Sequence, residues 1–342
     1  MAIPKLSDPR VLSQLAEDHG VIFHNYTPTD VGAMDAQPTL STTPSAGVLN
    51  IFTTYVDPRT IEILFQPMRA TQIFEEEKMG DWVTPVAMFP LAEMTGEVSS
   101  YGDYNNNGNS NANLNYESRQ QYYYQTFSEL GEREIAMASK GRFDLVSQVQ
   151  AASINAINRF QNKSYFYGIA GLKNYGILND PNLPAAISPS TETVDGTAVT
   201  SWADKTANGV YEDLRLLFAD LVTRNQGLVD TMVRGKLCMS PNSEIYLQKT
   251  NQFGLNVRDL LEKNFRNVEI VVAPEYDTDS GELIQFIASD LDGQPTGNLA
   301  FSEKLRSHAV VIESSSYKQK RSAGTWGAII KQPTAIAQLL GV

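Results

Sequence analysis

Two acidic stretches are the parts of this sequence whose spacing comes closest to a metal site. Residues 277–282 (Asp-Thr-Asp-Ser-Gly-Glu) carry alternate carboxylates that could converge on a hard cation such as Ca²⁺. The stretch departs from the calcium-loop pattern, because Glu282 stands where that loop requires glycine and no glutamate follows at the twelfth position. Apolar runs on both sides predict a hairpin turn instead, and residues 290–293 (Asp-Leu-Asp-Gly) receive the same interpretation. We expect no metal site and no cofactor.

Side chains for nucleophilic or acid–base catalysis are scarce. The three histidines stand at positions 19, 24 and 308, and the single cysteine, Cys238, lies in an apolar stretch without a histidine close in sequence. That context favours a buried, unreactive thiol, and a structural or solvated role for His308. The sequence contains no phosphate-binding glycine loop, no G-x-S-x-G elbow and no H-E-x-x-H. We therefore expect a protein that is not an enzyme; a metal-dependent α/β enzyme using residues 277–282 is the less favoured alternative.

Charge excludes further classes. The chain has 27 Lys and Arg against 39 Asp and Glu, a net charge of −12, and only 19% of its 342 residues are charged. The acidic excess argues against tight binding to DNA through phosphate contacts. Lys318, Lys320 and Arg321 form the densest basic cluster, which we interpret as a solvated face. Contact with nucleic acid or with acidic residues of a neighbour, such as those at 75–77, is the alternative. No window of about 18 uninterrupted apolar residues occurs, and a signal-peptide pattern is missing, so we expect no membrane association.

The first third of the chain predicts an arm followed by a long hairpin. Residues 1–57 show no sustained period, and residues 60–65 alternate like a strand. Residues 75–127 alternate like β-structure, with 121–127 interpreted as part of one hairpin arm. Between the arms, residues 101–116 include seven Asn within the eleven positions 105–115. Because Asn caps turns and tolerates left-handed backbone, we expect an irregular loop here and not a strand.

The same region predicts a protein-contact surface. Residues 101–126 include only three charged side chains but six Tyr. Tyrosine adds contact area with one polar tip, and Asn hydrogen-bonds without the cost of desolvating a charge. A solvated loop without a partner is the alternative. The candidate contact residues are Trp82, Tyr101, Asp103, Tyr104, Asn105, Asn109, Asn113, Tyr116, Arg119, Tyr122 and Tyr124.

The rest of the chain alternates between helical and strand patterns. The longest helical pattern covers residues 133–165, with an apolar stripe formed by Leu145, Val149, Ala152, Ala156 and Phe160. Further on, a helix is predicted around residues 210–222, Ser240 and Pro241 are expected to begin another, and a short one is predicted at 255–265. Strands are predicted at residues 235–239, 268–273, 283–288, 308–313 and 327–331. The pattern indicates a mixed α+β fold.

The order of these parts resembles the major capsid proteins of tailed bacteriophages, whose shell fold also occurs in encapsulin nanocompartments. The resemblance extends over residues 55–342. The residues that carry it are Tyr55-Val-Asp-Pro-Arg59, Gly80-Asp81-Trp82, Gly96-Glu97, Tyr101-Gly-Asp103, Gly131-Glu-Arg-Glu134, Arg159-Phe-Gln-Asn-Lys163, residues 175–184 and Gly324-Thr-Trp-Gly327.

The resemblance implies a division of the chain into named regions. They are an N-terminal arm (1–57), the first strand of a peripheral domain (58–74), an extension loop (75–127), a peripheral domain with a long spine helix (128–170), an axial α/β domain (171–304), and returning strands of the peripheral domain with the C-terminus (305–342).

It also implies a function. Hexamers and pentamers of such a protein form an icosahedral shell around double-stranded DNA in the virion, after assembly in the host cytoplasm. We expect a separate scaffolding protein, because no charged helical leader precedes the arm, together with a portal and a decoration protein as further partners. The extension loop offers Lys78 only near its base, so we expect no covalent cross-link. DNA would be enclosed without tight sequence-specific binding. An encapsulin-like nanocompartment is the nearest alternative.

Overall fold

The computed structural model describes residues 66–342 apart from 105, 106, 142 and 231. The predicted arm and the predicted strand at residues 60–65 lie outside the described residues. The helices are α1 (Ala70–Ile73), α2 (Glu132–Lys140), α3 (Leu145–Tyr167), α4 (Ala207–Arg224), α5 (Pro241–Tyr246) and α6 (Val257–Asn264). The strands are β1 (Glu76–Lys78), β2 (Val86–Gly96), β3 (Ser110–Gln120), β4 (Tyr122–Gly131), β5 (Glu192–Val194), β6 (Thr197–Val199), β7 (Gly235–Met239), β8 (Val268–Val272), β9 (Asp277–Thr278), β10 (Gly281–Ala288), β11 (Asp290–Leu291), β12 (Gln294–Pro295), β13 (Gly297–Ile312), β14 (Ser316–Ile330) and β15 (Ile336–Leu340).

A four-stranded sheet in the order β1-β13-β14-β4 supports the longest helix. β1 runs parallel to β13, and the other pairs are antiparallel. Helix α3 covers one face of this sheet: the Phe160 ring lies 4.5 Å from that of Tyr124 between ring centroids, and Arg321 on β14 donates to the Ser153 hydroxyl. The opposite face carries Phe127, which is half exposed. We call the Phe127 side the open face of the sheet.

The predicted long helix is interrupted, and its predicted buried stripe was wrong. Helix α2 ends at Lys140, and α3 begins after Asp144, whose side chain accepts a hydrogen bond from the Ser147 amide at 3.1 Å. With 23 residues, α3 is about 34 Å long. Ala152, Ala156 and Phe160 are exposed, whereas its buried residues are Ser153, Ile157, Gln161, Asn162, Ser164, Tyr165 and Phe166. The helix turns a partly polar side inward because its buried polar side chains find hydrogen-bond partners. Ser153 and Ser164 bond to Arg321 and Thr325 of β14, whereas the amide of Asn162 bonds to Ala70 and Glu275.

The second sheet has the order β15-β10-β7-β8, with β9 paired to β10. Helix α4 packs on one side, and its apolar residues join a core that includes Trp202, Leu214 and Phe286. The other side of the sheet shares a second core with the end of α3, where Phe166, Tyr276 and Ile287 are buried. Strand β10 is therefore covered on both faces.

Most predicted elements in this half are confirmed. Strand β7 has the predicted bounds, and β8 and β10 overlap the predicted strands. Helix α5 begins as expected: the Ser240 hydroxyl accepts from the Ser243 amide at 3.0 Å, and Pro241 occupies the first helical turn. The observed order of helices and strands is the mixed α+β class that the sequence indicated.

The hairpin forms from different residues than expected. Strands β2 and β3 pair antiparallel over eleven positions, from Val86 opposite Gln120 to Gly96 opposite Ser110. Most of the Asn-rich run after residue 109 is thus strand, and the prediction of an irregular loop across 101–116 was wrong there. Residues 121–127, expected in a hairpin arm, belong instead to β4 in the four-stranded sheet. In the two-stranded ribbon, alternate residues of each strand exchange backbone hydrogen bonds with the partner strand, and this pairing outweighs the turn preference of single Asn residues.

Candidate interaction surface

The base of the β2–β3 hairpin is fixed to its own subunit by a buried ion pair. Arg119 is 1% exposed, and its Nη2 lies 2.7 Å from Asp180 Oδ2 and 2.9 Å from Glu117 Oε1. Its guanidinium also lies over the Tyr175 ring, 4.6 Å from the centroid. Arg119 was proposed as a contact to another protein; the structure gives it this intramolecular position instead, because a cation in the interior needs a paired carboxylate.

Three predicted aromatic contacts also lie against their own chain. Trp82 packs edge-to-face on Tyr123 at 4.8 Å between ring centroids. The Tyr122 and Tyr124 rings both lie near Phe160 of α3, at 6.0 and 4.5 Å. Burial raises the pKa of Tyr124, and the nearby Glu76 carboxylate raises it further. These side chains fasten the hairpin base and β4 to the rest of the subunit.

The outer half of the hairpin carries the remaining candidates, and they are exposed. Tyr104 is fully exposed, and Tyr101 is nearly so, with its hydroxyl donating to Asp103 Oδ1 at 2.9 Å. Asn109, Asn113 and Tyr116 are exposed as well. Asn105 lies outside the described residues. The exposed candidates thus share the free end of the hairpin, and none of them belongs to a core formed by the described residues.

The register divides the hairpin into two unlike faces, since directly opposite residues on paired strands share a face. We define the apolar face by its exposed residues Val86, Met88, Pro90, Ala92, Met94, Ala112, Leu114 and Tyr116, with Gly96, Ser110, Ser118 and Gln120 at its two ends. We define the amide face by the residues Leu91, Glu93, Thr95, Asn111, Asn113, Asn115 and Glu117. Sequence reasoning missed this division, although strict alternation over residues 110–116 was its signal.

The side chains considered for chemistry are committed to structure. Burial raises the pKa of the Cys238 thiol to about 12, and His308 Nε2 shares a 2.7 Å hydrogen bond with the Ser322 hydroxyl. The predicted turn at residues 277–282 is confirmed as the β9–β10 hairpin. Its Glu282 carboxylate accepts from Ser240 and Ser243 hydroxyls at the start of α5. Within the described part of the chain, no group of three or more His, Cys, Asp or Glu side chains is placed to hold a metal ion.

The predicted basic cluster is split by the sheet. Lys318 and Lys320 lie on the open face, with their ammonium groups 5.5 and 5.7 Å from the centroid of the Phe127 ring. Arg321 is buried and donates to Ser153 on the helix side. The prediction of one solvated basic face was therefore wrong for Arg321, because neighbouring residues of a strand point to opposite faces.

Comparison with known proteins identifies the family. The family model described as the Pa193 gp26 major capsid protein matches residues 39–341. The chain belongs to this major capsid protein family. It is therefore a phage capsid protein, and the family points to a structural role. No curated protein sequence matches the chain.

Solved capsids share the fold. The capsid protein of Myoviridae phage XM1 is 17% identical, with a TM-score of 0.73, and the match covers 87% of this chain and 100% of that one. The capsid of cyanophage P-SCSP1u gives 10% identity and a TM-score of 0.57, covering 93% and 99% of the two chains. The capsid of the native GTA particle is 12% identical, with a TM-score of 0.57, and the match covers 84% of this chain and 95% of that one. The α+β fold is thus the tailed-phage capsid fold. Among the helices described, none has the length and apolar character to cross a membrane.

Proposed function

We propose that this major capsid protein assembles as hexamers and pentamers into an icosahedral shell that encloses double-stranded DNA. The observation that carries the proposal is the β2–β3 hairpin, which is fixed at its base by Arg119 and Asp180 but exposed on both faces beyond it. An isolated two-stranded hairpin is marginally stable in water. A neighbouring subunit would supply the core that the hairpin lacks.

The same proposal extends to partners and location. A separate scaffolding protein, a portal and a decoration protein would complete the particle, which would form in the host cytoplasm. DNA would be held by enclosure, since a net charge of −12 does not favour broad neutralisation of phosphates. An encapsulin-like compartment is less well supported, because the matching family model is that of a phage major capsid protein.

Negative-stain microscopy tests the proposal directly. The protein is expressed alone and together with the scaffolding protein encoded beside it. Uniform closed shells in either sample support the proposal. Only subunits or irregular aggregates in both samples would overturn it. A gene neighbourhood with portal and terminase genes would favour a DNA-containing phage shell, whereas a ferritin-like cargo gene would favour the compartment.

A further inference from the structure

The apolar face of the hairpin exposes several large apolar side chains and carries no charged residue. Met94 is 91% exposed, Met88 69% and Leu114 67%. The nine positions from Val86 to Met94 at ~3.4 Å each make an apolar ribbon about 31 Å long, and two strands make it about 10 Å wide, so this face presents roughly 310 Å². The largest apolar patch on a typical monomer is about 300–600 Å² and is often functional. The apolar face is therefore a candidate contact surface.

Among residues 66–342, those that the structure describes reach the hairpin mainly on the side opposite the apolar face. At the hairpin base, Ala87 and Phe89 point to the other side and pack against a small core containing Trp326. Since side chains alternate along a strand, Val86 and Met88 point away from that core. Two polar residues at the base of the apolar face, Ser118 and Gln120, accept hydrogen bonds from Lys173 of their own subunit. The outer members of the face are exposed: Pro90, Ala92, Met94, Ala112, Leu114 and Tyr116.

The surface of the same protein offers a complementary partner. The open face of the four-stranded sheet exposes Phe127 and Val311, which Lys318 and Lys320 flank. Lys318 also pairs with Glu129 on this face at 3.7 Å, and the ammonium group of Lys320 lies over the Phe127 ring. The hairpin brings the exposed carboxylates Glu97 and Asp103 at its tip and has no lysine over residues 86–118. An apolar surface with an acidic tip therefore matches an apolar surface flanked by lysines, which favours specific association.

We propose that the apolar face docks on the open sheet face of a second copy of this chain and that the amide face remains in water. The proposal rests on the shell function proposed above and specifies which side of the hairpin forms the contact. It reverses the expectation drawn from composition: the Asn side chains at positions 111, 113 and 115 form the solvated side. Tyr116, the one tyrosine of β3, belongs to the docking side.

Cysteine labelling tests which face is covered. Cys238 is buried and its pKa is raised to about 12, so the wild-type chain gives a low background with a maleimide. Single variants Met94→Cys and Leu114→Cys report the apolar face. Their matched controls, Thr95→Cys and Asn113→Cys, are the adjacent residues on the amide face. Labelling rates are measured on isolated subunits and on assembled particles.

All four thiols should label at similar rates in subunits. In particles we expect labelling at positions 94 and 114 to slow by about tenfold or more, whereas labelling at 95 and 113 changes by less than about threefold. Protection of the amide face, equal protection of both faces, or no protection would overturn the docking proposal while leaving the shell function intact. Protection of positions 94 and 114 already in isolated subunits would also overturn it. Absence of particles from the wild type would overturn both proposals.

Discussion

The hairpin β2–β3 and strand β10 show two ways of using the same β-structure. Both have regular pairing, but every residue from Leu283 to Ala288 is buried between two cores, whereas the outer half of the hairpin is exposed on both faces. β10 thus obtains its hydrophobic stabilisation within the subunit. The hairpin has regular backbone pairing and an apolar face, yet the outer residues of that face stay exposed in the part of the chain that the structure describes. The difference indicates that folding of the subunit depends on the buried strands such as β10, whereas assembly depends on the exposed hairpin.

Removing the hairpin is the strongest test of that separation. Pro90 and Tyr116 are directly opposite each other, so residues 91–115 can be replaced by Asn-Gly as a two-residue turn. Arg119 and the residues at the hairpin base remain. We expect the shortened subunit to fold with an unchanged thermal unfolding midpoint and to form no shells, measured by calorimetry and electron microscopy. Shells of normal size and yield would contradict the assembly role of the hairpin.

Side-chain truncation on the two kinds of strand should affect subunit stability very differently. Phe286→Ala on β10 removes a fully buried ring that lies 4.5 Å from Phe218, and should lower the free energy of unfolding by about 3–5 kcal/mol. Met88→Ala on the hairpin removes an exposed side chain and should change it by less than about 0.5 kcal/mol. Denaturant unfolding of the unassembled subunits measures both. Equal losses would show that the hairpin belongs to the folding core.

The ion pair at the hairpin base, where the hairpin joins the rest of the subunit, gives the next largest effect. Asp180→Ala leaves the Arg119 guanidinium buried beside only the partly exposed Glu117, and we expect a loss of about 3 kcal/mol of unfolding free energy. Arg258→Ala is the matched control, because its pairs with Glu244 and Glu262 are solvent-exposed and should contribute less than about 1 kcal/mol. A negligible effect of Asp180→Ala would mean that the hairpin base is not held by this pair.

The sequence predicted the elements that pack within the subunit, such as β7 and the start of α5, better than it predicted the hairpin. The bounds of β7 and the Ser240–Pro241 helix start follow from local propensity and apolar runs, and packing inside the subunit agrees with both. The Asn-rich strand and the buried side of α3 were misjudged, because pairing with a distant segment decided them. Turn preference favoured a loop at residues 110–115, but the pairing with 91–96 prevails. Which surface covers the apolar face depends on a second molecule. The sequence of one chain therefore shows only the alternation of apolar and polar residues along the hairpin strands.

A charge on either face of the hairpin should separate docking from folding. Met94→Glu places a carboxylate on the apolar face, where docking would bury it without a partner, and we expect particle yield to fall by about tenfold or more. Thr95→Glu places the same charge on the adjacent residue of the amide face and should leave yield nearly unchanged. Sedimentation of assembled particles gives the yields. A larger loss from Thr95→Glu would assign docking to the amide face.

The smallest expected effect concerns a buried carboxyl group in the subunit core, away from the hairpin. Glu275 is buried beside α3, where Asn162 Nδ2 donates to its Oε1 at 2.8 Å. Burial raises the pKa of this carboxyl above its ordinary value. A raised carboxyl pKa means that the folded state takes up a proton more readily than the unfolded state. Its contribution is therefore most favourable at low pH and is lost as the pH rises through the folded-state pKa.

Glu275→Gln keeps the acceptor for Asn162 and removes the titration. We expect the variant to be slightly more stable than the wild type at neutral pH, with the difference shrinking as the pH falls below the ordinary range of a glutamate. Thermal unfolding of unassembled subunits across this pH range measures the difference. Because Glu275 lies in the subunit core and the hairpin does not touch it, the 91–115 replacement should show the same pH dependence as the full-length chain. A change in that dependence on removing the hairpin would show that the two regions are coupled after all.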